Sequence, residues 1–301
     1  MSQSIQGLGW FLRRTKDPIK LGKFYERAIG LPLLRSWKTD TYAGAMMWAG
    51  GVCVLETNLI GPSPMAVRKE SPCIPVFRTH NLAASRDRVR DAGASFARRE
   101  EENRAETEFY LDIDGFPFGL EQIRDASLFR EDQTALDAWG KKPRLADTHE
   151  IEGDIQGISR VIQLTHNPAT DAQFLTDRFG MKSYGELNGS IMMSLGEEAL
   201  LELRLSETKY ECPTSRENVP DTWILREYDH QSLLQNLKDK GDLPIESLVF
   251  DGGDLDYFVL PSNLMFGLQE RRVFNPDVKA TQAIEDGEFR KNWERKAAMS
   301  E

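Results

Sequence analysis

The stretch "GKFYERAIGLPLLRSW" at 22–37 can be laid without a gap over "AQFLTDRFGMKSYGEL" at 172–187. Each copy follows a strand-like run ending in Thr, a polar residue, Asp or Asn, and Pro: "RRTKDP" at 13–18 and "QLTHNP" at 163–168. Asp17 and Asn167 stand where a helix N-cap belongs, and Pro18 and Pro168 open the first turn. In the first copy Leu21, Phe24, Tyr25 and Ala28 recur at helical spacing, and Gly30 stops the helix. Around that helix "GLGWFLRRT" (7–15), "LPLLRSW" (31–37), "AGAMMWAG" (43–50) and "GVCVLETN" (51–58) read as short strands separated by glycines. The predicted order is β-α-β-β-β.

The same plan is legible three more times. "PCIPVFRT" (72–79) predicts a strand and "NLAASRDRVRDAG" (81–93) a helix capped by Asn81. "ASFARRE", "TEFYLDID" and "FPFGLEQI" then give three strands, the last two joined by an Asp114-Gly115 turn. A third unit runs through "GISRVIQLT", "ATDAQFLTDRFG", "SIMMSLG" and "EALLELRL", with Met192-Met193 on Met46-Met47 and Glu202 on Glu56. In the fourth, "DYFVLPSNLMFGLQE" (256–270) lies ungapped on "EFYLDIDGFPFGLEQ" (108–122), the shared "FGL" fixing the register. Self-similarity held over strand, helix, turn and strand marks an internal repeat.

These units predict an α+β chain: four βαβββ units paired into two open, curled eight-stranded barrels. The expected domains are 1–122 (units 7–58 and 72–122) and 157–270 (units 157–205 and 221–270). They are joined by a charged linker at 123–156 and followed by a charged tail at 271–301, where Trp293 is a candidate contact for a second subunit.

Composition narrows the partners. The 301 residues carry a formal net charge of −10, which opposes binding to a phosphate backbone, so nucleic acid is not expected. No apolar run approaches the roughly 20 residues that span a bilayer, and the N-terminus predicts no signal peptide, so the expectation is a cytoplasmic protein without membrane contact. Three scattered cysteines predict reduced thiols rather than a disulfide framework. What remains is a small-molecule ligand or another protein as partner, with a small molecule the leading expectation and the chain a monomer or a homodimer.

Paired units with "DP…FYE…GLPL" after the first strand and "VLETN" ending the fourth resemble the vicinal oxygen chelate superfamily. That group includes glyoxalase I, extradiol dioxygenases, fosfomycin resistance enzymes and bleomycin-binding proteins. The resemblance covers about 7–122 and 157–270, and implies a cleft inside each barrel. In metal-dependent members the cleft holds one divalent ion on His, Glu, His and Glu, which polarises neighbouring substrate oxygens. Carried over to this chain, those positions fall on Trp10, Glu56, Cys73 and Gly119 in one pair. In the other they fall on Arg160, Glu202, Asp221 and Gly267. No position holds a His, so the usual metal set is expected to be degenerate. The four histidines stand at strand ends, in the linker or at a helix start, and read as solvated or capping.

The cofactor expectation is therefore none, or one divalent ion on a rebuilt set of Glu56, Cys73 and Glu121. In the second pair Arg160, Glu202 and Asp221 are expected to form an internal salt bridge in place of the metal. The leading functional expectation is small-molecule binding in the N-terminal cleft. Trp10, Trp48 and Phe77 would stack on a flat ligand, and the resemblance adds Asn58, which is similar to the Asn that follows the fourth strand in glyoxalase I-like sequences. Arg14 would either grip an anionic group, as the resemblance implies, or pair with Glu56. The alternatives are a metal-dependent lyase or dioxygenase on the rebuilt set, or a metal-free acid/base enzyme with Glu56 as base and Arg14 steadying an anion.

Overall fold

A computed structural model describes residues 5–38, 43–50, 53–59, 71–101, 105–123, 155–187, 189–196, 199–227, 229–250 and 253–270. Most of the expected linker and the whole tail, with His149 and Trp293, lie outside the described residues.

All four repeats are present. The first holds β1 (Ile5–Thr15), α1 (Pro18–Ile29), β2 (Leu33–Lys38), β3 (Ala43–Trp48) and β4 (Val54–Leu59). The second holds β5 (Cys73–Thr79), α2 (Leu82–Asp91), β6 (Ser95–Glu101), β7 (Ala105–Leu111) and β8 (Pro117–Ile123). The third holds β9 (Ile155–Thr165), α3 (Pro168–Phe179), β10 (Ser183–Leu187), β11 (Ser190–Leu195) and β12 (Ala199–Leu205). The fourth holds β13 (Asp221–Glu227), α4 (His230–Asp239), β14 (Glu246–Phe250), β15 (Gly253–Val259) and β16 (Met265–Glu270). The helix caps are those the sequence predicts: Asp17 accepts from the Lys20 amide at 3.1 Å and Asn167 from the Thr170 amide at 3.3 Å, while Gly30 closes α1 in the left-handed region.

The sheets form two open, curled, mixed eight-stranded layers, but the units do not pair in sequence order. One sheet runs β14-β15-β16-β13-β1-β4-β3-β2 and the other β10-β11-β12-β9-β5-β8-β7-β6. Unit one thus pairs with unit four, through antiparallel β1 and β13, and unit two with unit three, through β5 and β9. The expected barrel of units one and two, and its counterpart of units three and four, is corrected accordingly. The repeat fixes the shape of each unit but is silent about which partner it meets, because all four first strands present the same pairing edge.

Alternation along the strands gives each sheet two faces. Phe11, Leu55, Met47, Trp223 and Leu225 face the helices and join Cys73, Phe77, Leu120, Val161 and Leu203 of the other sheet in one continuous core. Helices α1 and α2 lock together inside it, with Arg27 donating to the Ala92 carbonyl at 2.6 Å and Arg88 to that of Ala28 at 3.1 Å. The two sheets also touch directly where the Ile158 amide meets the Ala49 carbonyl at 2.8 Å. Gly157 makes that approach possible: its φ is +102°, and an added Cβ would sit 2.3 Å from the Ala49 oxygen.

A buried ionic hub ties three units together on the helix side. Arg13 donates to Asp221 at 3.0 and 2.8 Å, to Asp112 at 3.0 Å and to the Pro117 carbonyl at 3.0 Å, and it also contacts the Tyr25 hydroxyl. Ser71 adds a 2.6 Å bond to Asp221. Burial opposes the charge on Arg13, but Asp221 and Asp112 outweigh it and raise its proton affinity further. Asp221 therefore does not join Arg160 and Glu202.

Candidate functional site

The faces turned away from the helices form two clefts, one per sheet, and their contents differ. In the cleft of the β1/β13 sheet, paired registers set side chains in rows. Trp48, Val54, Trp10 and Ile224 make one row; Met46, Glu56, Leu12 and Thr222 the next; Gly44, Asn58 and Arg14 the third. Trp10, Leu12, Met46, Val54, Ile224, Leu255, Tyr257, Met265 and Val219 form one buried apolar cluster there, with Trp37 packed at its edge.

Polar groups gather at the Arg14 end. Arg14 is buried; its Nη1 donates to the Val219 carbonyl at 2.9 Å, and no carboxylate among the described residues forms an ion pair with it. Burial and the nearby positive charge of Arg216 lower its proton affinity, while Tyr257 beside it works the other way. Burial raises the Tyr257 phenol, with Arg14 and Arg216 opposing, so it stays neutral and able to donate a hydrogen bond. Glu56 accepts from Asn58 Nδ2 at 2.7 Å. The expected alternative of an Arg14–Glu56 pair is not formed. The Trp37 ring packs against Gly44, where an added Cβ would sit 2.2 Å from it.

One side of this cleft is walled by the end of the segment 206–220 that links units three and four, where Val219 joins the apolar cluster and Pro220 meets the Arg14 amide. The Arg216 amide donates to Glu246 at 2.8 Å, and its guanidinium approaches the same carboxylate at 3.4 Å. Behind this strap, against Pro72, Asn263 and Leu264, lies a cavity of about 400 Å³.

The other cleft is filled by charge. Arg160 is 1% exposed and bridges Glu121 at 2.9 Å and Glu202 at 2.7 Å. Thr107 accepts from the same guanidinium at 3.1 Å, and Ser190 donates to Glu202 at 3.0 Å. Arg204 binds Glu202 at 2.8 Å and reaches Glu100 at 2.9 and 3.1 Å, closing the cleft over the buried carboxylate. Burial would push the Glu202 carboxyl up, but Arg160 and Arg204 outweigh it and hold it below the usual carboxylate range. The expected internal salt bridge thus exists between Arg160 and Glu202, with Glu121 in the place expected of Asp221.

Of the candidate residues, Trp10, Arg14, Trp48, Glu56 and Asn58 share one cleft face. Phe77 and Cys73 do not join them. Both lie on the other sheet and point into the core, Phe77 6.2 Å from Tyr25 between ring centroids. Burial raises the Cys73 thiol well above its ordinary range, which disfavours a thiolate ligand. On the cleft face beside Cys73 stands Ile74, and beside Asp221 stands Thr222, because successive residues of a strand face opposite sides of the sheet. Glu121 is bound by Arg160, so Glu56, Cys73 and Glu121 do not converge. Sequence reasoning missed Trp37, Tyr257, Leu255, Met265 and Thr222, four of which come from unit four. The alternation in "DLDYFV" signalled an inward face there, but the cleft it faces depends on the pairing. His230, expected to be solvated or capping, is fully buried and bonded to Asp256 at 2.6 Å.

The residues now at the metal positions are Trp10, Glu56, Thr222 and Gly267 in one cleft and Arg160, Glu202, Ile74 and Gly119 in the other. Each set offers a single carboxylate, and in the second a fixed guanidinium already neutralises it, so neither donor set fits a divalent ion. Among the described residues no three His, Cys, Asp or Glu side chains gather into a group that could hold a metal.

No family model and no curated protein matches the sequence. Among solved structures, a Bacillus subtilis protein provisionally named a dioxygenase superposes with a TM-score of 0.66 at 11% identity, covering 90% of this chain and 87% of its own. Glyoxalase I from maize (Zea mays) gives a TM-score of 0.60 at 14% identity, over 88% of this chain and 92% of its own. The fold is that of the vicinal oxygen chelate proteins.

Proposed function

We propose that the protein binds a small, flat, largely apolar organic molecule with an anionic group, in the cleft between units one and four and without a metal ion. The observation that carries this reading is the contrast between equivalent positions of the two clefts. Arg160, Arg204, Thr107 and Glu100 fill one. At the matching places in the other stand Trp10, Asn58, Leu255 and Leu248, which leave an aromatic and apolar lining around Arg14. Such a lining stacks on a planar ligand, and a buried guanidinium without a carboxylate partner fixes its charged end.

The test is a thermal-shift screen of planar aromatic acids against wild type, Arg14→Met and Trp10→Ala, with elemental analysis of protein purified without an affinity metal column. Binding that Arg14→Met weakens at least about tenfold supports the reading, since a charge-assisted hydrogen bond is worth roughly 1.5–3 kcal/mol. A stoichiometric divalent ion, or ligands bound equally well by both variants, would refute it. A second reading, acid/base chemistry on the bound ligand with Glu56 as base, is favoured by the placement of Glu56 beside Asn58 and within electrostatic reach of Tyr257. Turnover lost in Glu56→Gln with affinity retained would support it.

A further inference from the structure

The cavity of about 400 Å³ behind the strap has an apolar wall of Pro72, Tyr210, Val219, Pro220 and Leu264. Its volume falls among those of small-ligand sites, roughly 300–1,000 Å³. Val219 and Pro220 also bound the cleft, where their carbonyls accept from Arg14 Nη1 and the Arg14 amide, so this wall separates the two spaces. The cavity is polar in a different way from the cleft. None of the described side chains that line it is a cation, and the charged one is Glu211, so it does not suit the anion assigned to Arg14.

Two carboxamides line it, and each is half used. Asn218 Oδ1 accepts from Thr214 Oγ1 at 2.9 Å and from the Ser215 amide and hydroxyl at 3.1 Å each, while Nδ2 donates to none of the described residues. Asn263 is the reverse: Nδ2 donates to the Tyr210 carbonyl at 3.0 Å, and Oδ1 accepts from none of the described residues. Asn218 is exposed, and Asn263 Oδ1 is not among the buried unbonded atoms, so both groups are open to a ligand. The turn itself does not need the Asn263 side chain. Asn263 is the one non-glycine residue at positive φ, +65°, among the described residues. Gly115 makes the matching turn of unit two at +86°, with open space where a Cβ would stand. A side chain kept where glycine serves as well points to a use outside the turn. Its nitrogen pins the strap, and its oxygen is left to the cavity.

We propose that this cavity is a second binding site, for an uncharged peptide group bearing an apolar substituent. The ligand carbonyl accepts from Asn218 Nδ2, its N–H donates to Asn263 Oδ1, and the substituent packs on Tyr210, Pro72 and Leu264. One unused donor and one unused acceptor beside an apolar wall are the complement of a single amide unit. The site is independent of the ligand proposed for the cleft.

The experiment uses the full chain and reads occupancy through Cys212, which lines the cavity and is exposed while Cys53 and Cys73 are buried. Slowing of its alkylation by iodoacetamide gives a dissociation constant for each added compound. N-isobutylacetamide should bind about tenfold more tightly than isobutyl acetate, which has the same shape without the N–H, as one hydrogen bond permits. Asn263→Gly keeps the turn and should erase that preference. Asn263→Asp also loses the bond to Tyr210 but keeps an oxygen acceptor, and should retain it, so a loosened strap and a lost ligand contact are told apart. Tighter binding of the blocked tetrapeptide acetyl-Ala-Leu-Ala-Ala-amide assigns the site to a segment of a partner protein, and equal binding assigns it to a free amide. Alkylation slowed by none of these compounds would overturn the proposal, as would equal affinity for amide and ester in wild type. So would a preference that survives in Asn263→Gly or vanishes in Asn263→Asp, or stronger protection by isobutylammonium, which would make Glu211 the determinant.

Discussion

Arg160→Met tests whether the charge-filled cleft is held by its central guanidinium. The substitution keeps most of the apolar stem and removes the cation that bridges Glu121 and Glu202, which are 2% and 3% exposed. Breaking a buried pair by removing one partner costs about 3–5 kcal/mol, a large share of the roughly 5–15 kcal/mol that ordinarily holds a domain together. Arg204 and Ser190 still hold Glu202, which favours the lower end of that range. The folded-state carboxyl of Glu202 is depressed, so its contribution in wild type is present above the unfolded value of about 4.3 and fades as pH falls through the folded value. In the variant the largest charge opposing burial is gone, so protonation relieves the strain and the deficit should shrink between about pH 7 and about pH 5. Urea unfolding followed by circular dichroism at both pH values measures it. Adding Glu121→Gln and Glu202→Gln to the variant should recover much of the loss near neutral pH, because the stranded charges are then absent. A loss below about 1 kcal/mol, the range of an exposed surface pair, or one unchanged by acid, would refute the account.

Three further outcomes are expected. Gly44→Ala should displace Trp37, whose ring lies 2.2 Å from the would-be Cβ, costing about 1–3 kcal/mol in thermal unfolding and blunting quenching of tryptophan emission by bound aromatic acids. Glu246→Ala should release the strap at Arg216, raising hydrogen exchange of the amides at 211–219 about tenfold with little change in β1 or β13. Arg13→Met should cost about 3–5 kcal/mol in chemical denaturation, since it strands Asp112 and Asp221 in the core.

The repeat unit was legible because several local signals agreed: the Asp17-Pro18 and Asn167-Pro168 helix starts, the Gly30 and Gly180 stops, and the alternation of the flanking strands. Trp10, Arg14 and Glu56 could be placed on one face because side-chain direction along a single strand, and between strands of one unit, follows from period two. Tyr257 and Thr222 could not be joined to them, because which unit lies against β1 is a choice among edges that look alike to the sequence. Cys73 and Asp221 went wrong for a smaller reason. Both miss the cleft by a single position, and one residue along a strand puts a side chain on the opposite surface of the sheet. The Arg160–Glu202 bridge was found because both residues belong to the same unit, and Glu121 was assigned elsewhere because it does not.

The pairing of unit one with unit four also governs the order in which the chain can be completed as it is made. Units two and three are consecutive, so their sheet can close once β12 has been synthesised. Strand β1 must wait for β13, and Arg13 meets Asp221 across 208 positions. At about 5–20 residues per second that interval is roughly 10–40 s, during which the pairing edge of β1 stands open on the nascent chain. Contacts this distant in sequence are also slow to form in the released protein. The sheet that carries Arg14, Glu56 and Thr222 is therefore the last part of the molecule to form, and a chain stopped before β13 would have the charge-filled cleft but not the one proposed to bind.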